Sequence, residues 1–167
     1  VTVLVVYGSK RGGTEGLAEM VAGELRDQHF EVEIAPARQA PRVEDYDAVI
    51  VGGALYASRW HRDAKAFVKR HAGALRSRPT YFFSSGPLDG SANQADIPPV
   101  RGVKALMTKV GARGHVTFGG RLSPDAKGFP AGAMAKHYAG DWRDEEQVRT
   151  WVTRVASELR AGVGQTA

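Results

Sequence analysis

Two kinds of apolar pattern alternate along this chain. Short β-branched runs give way to longer stretches in which apolar residues recur every three or four positions. Residues 2–8, TVLVVYG, are of the first kind and predict a buried parallel strand ending in glycine. Residues 14–28 are of the second kind, with Leu17, Met20, Val21 and Leu25 on one helical face. From Phe30 to Ala35 the pattern alternates, with Val32 and Ile34 on one side, as an outer strand would. Residues 47–55, DAVIVGGAL, read as a second fully buried strand. Residues 61–76 read as a helix with Ala64, Phe67, Val68, Ala72 and Leu75 on its apolar side. A fourth strand is predicted over 79–85, a short helix over 101–110 and a fifth strand over 115–122. The last helix, 144–160, carries the stripe Val148, Trp151, Val152, Val155 and Leu159. The Pro-containing gap 36–46 has room for a partial turn. Residues 123–143 are the least regular and read as a loop excursion with a helical turn near 131–138.

Strands that alternate with helices imply a mostly parallel sheet covered on both faces. Right-handed crossovers then leave an α/β, doubly wound sandwich of five strands in the order 2-1-3-4-5. The 167 residues suit one domain, spanning 1–167. No apolar run approaches the roughly 18–20 residues of a transmembrane helix. The start, Val1 to Val6, lacks a basic region and a cleavage site, so a cytoplasmic protein is expected. There is no cysteine, which excludes disulfides, thiolate nucleophiles and Cys-based zinc sites. His29, His61, His71, His115 and His137 show no metal-binding spacing, so no metal is expected.

Charge changes the picture in one place. The chain carries 23 Lys and Arg against 18 Asp and Glu, a net +5. Residues 59–78 hold seven of those cations and one acid, Asp63. The segment is therefore +6 and the rest of the chain −1. Such a stretch attracts anions, although a solvated helix face reads the same way. It contains no nucleic-acid recognition motif, so no specific nucleic-acid partner is expected.

In a sheet of this order, ligands bind beyond the carboxyl ends of the strands, where the strand order reverses. Three loops should meet there. The first, Gly8 to Thr14 (GSKRGGT), joins a strand to a helix, and its glycines, hydroxyls and helix N-terminus make a phosphate cradle. It lacks the Lys-Ser/Thr of a Walker loop and the GxGxxG of a dinucleotide site, and a plain turn and cap is its structural alternative. The second, Gly53 to His61 (GALYASRWH), carries Tyr56 and Trp60, which could stack on a planar ring or pack on the sheet edge. The third, Ser84 to Gly90 (SSGPLDG), offers backbone groups to a ring edge, or is an ordinary turn. One phosphate loop with two ring-facing loops describes a flavin mononucleotide site better than a dinucleotide site.

These residues resemble a known family. Ser9, Gly12 and Thr14, following VLVVYG, resemble the phosphate loop of flavodoxins. Residues 51–54 (VGGA), Trp60-His61, 67–72 (FVKRHA), Phe83-Ser84-Ser85, 119–122 (GGRL) and Asp141-Trp142 resemble flavodoxin-domain proteins of the menaquinone-dependent protoporphyrinogen oxidase type. The resemblance covers nearly the whole chain. It implies a flavodoxin-like fold and FMN as cofactor. It also implies that Ser9, Arg11, Gly12, Gly13 and Thr14 hold the phosphate, with Lys10 nearby. Ala54, Leu55, Tyr56 and Ala57 would line one side of the ring, and Ser85, Gly86, Pro87 and Leu88 the other. Ordinary flavodoxins are acidic, whereas this chain is basic and has Lys10-Arg11 in that loop. A deazaflavin would read alike at the phosphate loop.

The expected function is an FMN-dependent oxidoreductase acting on a small organic substrate such as a porphyrinogen or quinone. The alternatives are an electron-carrying flavodoxin serving a redox partner protein, and a domain that keeps the fold without the flavin. His61 is the candidate acid–base residue, with a solvent-facing helix start as its structural alternative. Arg59, Trp60 and Arg62 are the candidate substrate or partner contacts, since Arg pairs bidentately with carboxylates such as propionates.

Overall fold

A computed structural model of the protein describes residues 1–9, 13–56, 59–86, 97–119, 121–122, 140–141 and 144–166. The elements run β1 (Thr2–Gly8), α1 (Gly13–Asp27), β2 (Glu31–Pro36), β3 (Ala48–Tyr56), β4 (Arg59–Trp60), α2 (Arg62–Arg70), α3 (Ala72–Arg76), β5 (Thr80–Ser85), α4 (Arg101–Val110), β6 (Gly114–Phe118), β7 (Arg121–Leu122), β8 (Gly140–Asp141) and α5 (Glu145–Thr166). Two 3-10 turns, Ala37–Gln39 and Val43–Asp45, occupy the Pro-containing gap.

Five strands pair in parallel in the order β2-β1-β3-β5-β6, which is the expected 2-1-3-4-5 arrangement. A sixth, two-residue strand, β4, folds back antiparallel on the end of β3. Both faces of the central strands are buried, which is why they read as continuous apolar runs. Val3, Val5, Ile50, Tyr81 and Phe83 pack beneath α1 and α5. Leu4, Val6, Val49, Val51 and Phe82 pack beneath α2, α3 and α4. The outer strand β2 keeps the alternation, with Glu31 and Glu33 exposed and Val32 and Ile34 half-buried.

Three expected elements are redrawn. The helix over 61–76 is two helices, because the backbone leaves helical geometry at His71 (φ −107°, ψ 18°), two residues before Gly73, a weak helix former. The strand over 115–122 stops at Phe118, before Gly119, and Arg121-Leu122 pairs instead with Gly140-Asp141 in a separate two-stranded sheet. The last helix continues to Thr166, since no proline or apolar boundary stops it at residue 160. The helical turn expected near 131–138 lies outside the described residues.

The glycine pair in the centre of β3 has a packing cause. A Cβ on Gly52 would sit 2.0 Å from the Phe83 ring, and one on Gly53 would sit 2.4 Å from Trp60 Nε1. Successive strand residues face opposite sides, so the two glycines admit one aromatic ring into each layer of the core. Trp60 lies 3% exposed with its ring centroid 5.0 Å from that of Phe82. Gly53→Ala should therefore destabilise the fold by about 1–3 kcal/mol through overpacking. Gly23→Ala in α1, where a Cβ meets nothing within 4 Å, should stabilise it by about 0.5–1 kcal/mol. Urea denaturation of the two variants checks both signs.

A second buried arrangement links β5 to β6. Ser84 Oγ lies 2.8 Å from His115 Nε2, and His115 Nδ1 is buried with no hydrogen-bond partner among the described residues. Burial lowers the imidazole pKa from 6.5 to about 4. The unfolded chain binds a proton at this residue below about pH 6.5, whereas the folded chain resists until about pH 4. Stability is therefore lost as the pH falls through that window. Between about pH 7 and about pH 4.5 this group accounts for roughly 2–3 kcal/mol. Stability curves for the parent and His115→Gln should diverge by that amount in acid; parallel curves would mean that His115 already titrates as an exposed imidazole.

Candidate functional site at the carboxyl edge of the sheet

The strand register brings the three predicted loops to one edge. Gly8 is level with Gly53, and Gly53 with Ser84. Beyond that line β3 runs on through Ala54, Leu55 and Tyr56, and Ala54 pairs with Ser85. The chain then returns as β4, with Leu55 opposite Trp60 and Tyr56 opposite Arg59. The His61 N–H donates to the Ala54 carbonyl at 2.8 Å and locks the return.

The phosphate-loop end is built where β1 meets α1. Ser9 is partly buried just after β1, and Gly13 and Thr14 form the start of α1. Thr14 is 1% exposed, and its Oγ1 has no hydrogen-bond partner among the described residues. A buried hydroxyl left unsatisfied costs about 1–3 kcal/mol. Here it stands in the first turn of a 15-residue helix, where backbone N–H groups and the helix dipole favour an anion. Gly8 abuts the start of α2: a Cβ there would lie 2.8 Å from the Ala64 backbone nitrogen and 3.1 Å from His61 Nδ1. That close approach is a second reason for a glycine at the end of β1, and the sequence pattern does not reveal it.

On the ring-facing side, Ala54 is buried, Leu55 half-buried and Tyr56 38% exposed. Gly86 has φ +132°, a backbone conformation that favours glycine, and a Cβ there would lie 3.7 Å from Leu55 Cβ. The ends of β3 and β5 thus stand side by side. The Gly86 N–H already donates to the Phe118 carbonyl at 2.9 Å, so from this residue only the carbonyl is left to face a ligand. Lys10, Arg11, Gly12, Ala57, Pro87 and Leu88 lie outside the described residues.

Two candidate contacts are placed differently from expectation. Trp60 points into the core over Gly53, because β4 pairs back on β3 and turns its indole inward; it does not face a substrate. His61 is 6% exposed and does not face solvent. Its Nδ1 accepts a 3.1 Å hydrogen bond from the Asp63 N–H, which caps α2 and puts the ring proton on Nε2. Its ring lies 6.0 Å from that of Tyr56. Arg59 and Arg62 are exposed, as a substrate or partner contact requires.

A cavity of about 550 Å³ opens elsewhere, against the β6 edge, lined among others by Ile97, Pro98, His115, Thr117 and Trp151. Among the described residues it shares none with the three loops. Among the described residues no helix is long and apolar enough to cross a membrane, and no group of three or more His, Asp or Glu side chains is placed to hold a metal.

Comparison with known proteins agrees with this geometry. Residues 4–129 match the family described as Flavodoxin domain. The protoporphyrinogen IX dehydrogenase [quinone] of Escherichia coli (strain K12) is 30% identical over 83 residues, 48% of this chain and 46% of that protein. The match thus spans about half the length of that curated relative. Among solved structures, oxidised flavodoxin 1 from Bacillus cereus covers 94% of this chain and 98% of its own, at 17% identity and a TM-score of 0.60. Rubredoxin oxygen:oxidoreductase from Desulfovibrio gigas covers 97% of this chain and 37% of its own, at 16% identity and a TM-score of 0.65. Sheet order and sequence match coincide, and the chain belongs to the flavodoxin-domain family, whose cofactor is FMN.

Proposed function

We propose that this protein is an FMN-dependent oxidoreductase that moves electrons between the bound flavin and a small organic substrate such as a porphyrinogen or quinone. The observation that carries the reading is the buried Thr14 hydroxyl at the N-terminus of α1, without a partner among the described residues, at the carboxyl edge of the sheet. A terminal phosphate would satisfy that hydroxyl. Thr14 and Ser9, with Gly13 and the first N–H groups of α1, would hold the phosphate; Ala54, Leu55 and Tyr56 would line one side of the ring, and Ser85 and Gly86 the other. The likeness to a protoporphyrinogen IX dehydrogenase supports an enzyme over a pure carrier, and supports this substrate class.

When bound, FMN supplies the redox chemistry; the chain supplies position and electrostatics. The α1 N-terminus neutralises phosphate charge. The β3–β4 return, held by Trp60 in the core and by the His61 N–H, keeps Leu55 and Tyr56 fixed beside the ring. Arg59 and Arg62 hold anionic groups of the substrate at the mouth. His61 acts as a positioning residue: its Nδ1 is engaged in capping α2, which sets the hairpin's exit angle.

The first measurement is the visible absorption spectrum of the purified protein, with and without added FMN, after gel filtration. Retained flavin bands are the expected result, and a colourless protein after FMN addition overturns the reading. Thr14→Val sharpens the test, because it keeps the side-chain shape and removes only the hydroxyl. A hydrogen bond to a charged phosphate is worth about 1.5–3 kcal/mol, so FMN affinity should fall roughly 10–100-fold. Apoprotein stability should hold or rise, since the hydroxyl has no partner among the described residues. Unchanged affinity would remove Thr14 from the phosphate site.

A further inference from the structure

We propose that the outward face of α2 and α3 is a docking surface for an acidic electron-transfer protein; the inference rests on the flavin reading above. Arg62, Lys65 and Lys69 share one side of α2 by helical spacing, and Arg76 follows on α3. Arg62, Lys69, Arg70 and Arg76 are exposed, and Lys65 is half-exposed. Arg59 and Arg62 begin this stripe at the site mouth, beside the exposed Tyr56.

The stripe is not consumed by the fold. Arg78, at its far end, is: its guanidinium donates to the carbonyls of Ala74, Val43 and Tyr46 at 2.7–2.8 Å. By contrast, Arg59, Lys65, Lys69, Arg70 and Arg76 form no ion pair with any described residue, and Arg62 only approaches Asp63 at 3.9 Å. The helix dipole accounts for Lys69 and Arg70, which sit in the last turn of α2. It does not account for Arg62, which opens the helix, where a cation is disfavoured. The dipole likewise accounts for Arg76, in the last turn of α3, but not for Arg59 or Lys65. Exposed cations that pair with no described acid, next to an Arg that opens α2 against its dipole, point to an external anionic partner.

Protein fits that surface better than lipid. The only large apolar side chains exposed among the described residues are Val1 and Tyr56, so the stripe has no apolar wedge to enter a bilayer. An exposed Tyr56 with Arg59 opposite it is instead the composition of protein-interface anchors. The partner is an acidic protein whose redox centre reaches the mouth next to Tyr56. With FMN bound, each docked encounter would pass one electron between the partner's redox centre and the flavin. For a porphyrinogen, which reduces the flavin, the partner is the oxidant, and two encounters take up two electrons while two protons pass to water. For a quinone, which oxidises the flavin, the partner's reduced centre supplies two electrons in two encounters and water supplies two protons.

The test is calorimetric titration of the full chain with an oxidised, acidic [2Fe–2S] ferredoxin as probe, at low and at physiological ionic strength. Lys65→Glu/Lys69→Glu/Arg76→Glu reverses the stripe without touching the proposed flavin or substrate contacts. Arg101→Glu/Lys104→Glu/Lys109→Glu makes the same net change on α4. Binding that weakens with salt, falls roughly tenfold or more in the stripe variant and holds in the α4 variant is the expected result. Equal losses in both variants would mean attraction by net charge alone and overturn the proposal. So would absent ferredoxin binding, or binding only to vesicles containing about one-third phosphatidylserine. Circular dichroism confirms that each variant is folded. The flavin absorbance of the same samples reports separately: colourless protein that still binds the ferredoxin through the stripe retires the flavin reading and upholds the surface.

Discussion

The site depends on one packing contact, the Trp60 indole in the space that a side chain at residue 53 would otherwise fill. A strand that runs two or three residues past its neighbours would project into water with its edge groups unpaired. Here β3 returns as β4, and burial of an aromatic ring anchors the return. An indole removed from water contributes several kcal/mol of apolar burial. That is ample to hold a short hairpin that would be marginal alone. Leu55 and Tyr56 owe their position to that anchor. His61, the next residue, owes it the start of α2.

The same edge gathers features that stability alone does not favour. A Thr14 hydroxyl without a partner among the described residues, a Gly86 at φ +132° and an Arg at the first position of a helix each cost something in the isolated fold. They lie along one edge of the sheet, past the carboxyl ends of β1, β3 and β5. Elsewhere the exceptions are scattered: His29 takes φ +71°, and the buried His115 Nδ1 has no partner among the described residues. Concentrated disagreement of this kind marks a functional edge.

Much of this was legible in the sequence, for identifiable reasons. The runs VLVV and AVIV read as strands covered on both faces, and the alternation from Phe30 to Ala35 as an outer strand. Those constraints fix the sheet order through crossover handedness. The three loops followed, because ligand position is a property of the topology. Sidedness was harder. Trp60 is an aromatic residue in a ligand-facing loop, and only the antiparallel return turns it inward. The signal that could have shown this was the adjacent Gly52 and Gly53 in a buried strand, which means close approach by another group. The Ser84–His115 contact depends on β5 and β6 lying side by side, and no local pattern encodes it. The break at His71 was hidden because the apolar spacing continues unbroken from Phe67 to Leu75.

The ring-for-hydrogen exchanges at Gly52 and Gly53 bear on how this sequence can drift. Neither position can gain a side chain while its aromatic partner stays, and neither ring can shrink without leaving a void that only a larger residue at the glycine would fill. Residue 52 is thereby tied to residue 83, and residue 53 to residue 60, across gaps of 31 and seven positions. Among relatives, each pair should change together or not at all. A homologue with alanine at the second glycine should carry a smaller group in place of the tryptophan, and with it a differently seated hairpin. Variation in the ligand-facing loop would then be inherited from the core beneath it, by pairwise substitution in residues that never meet the ligand.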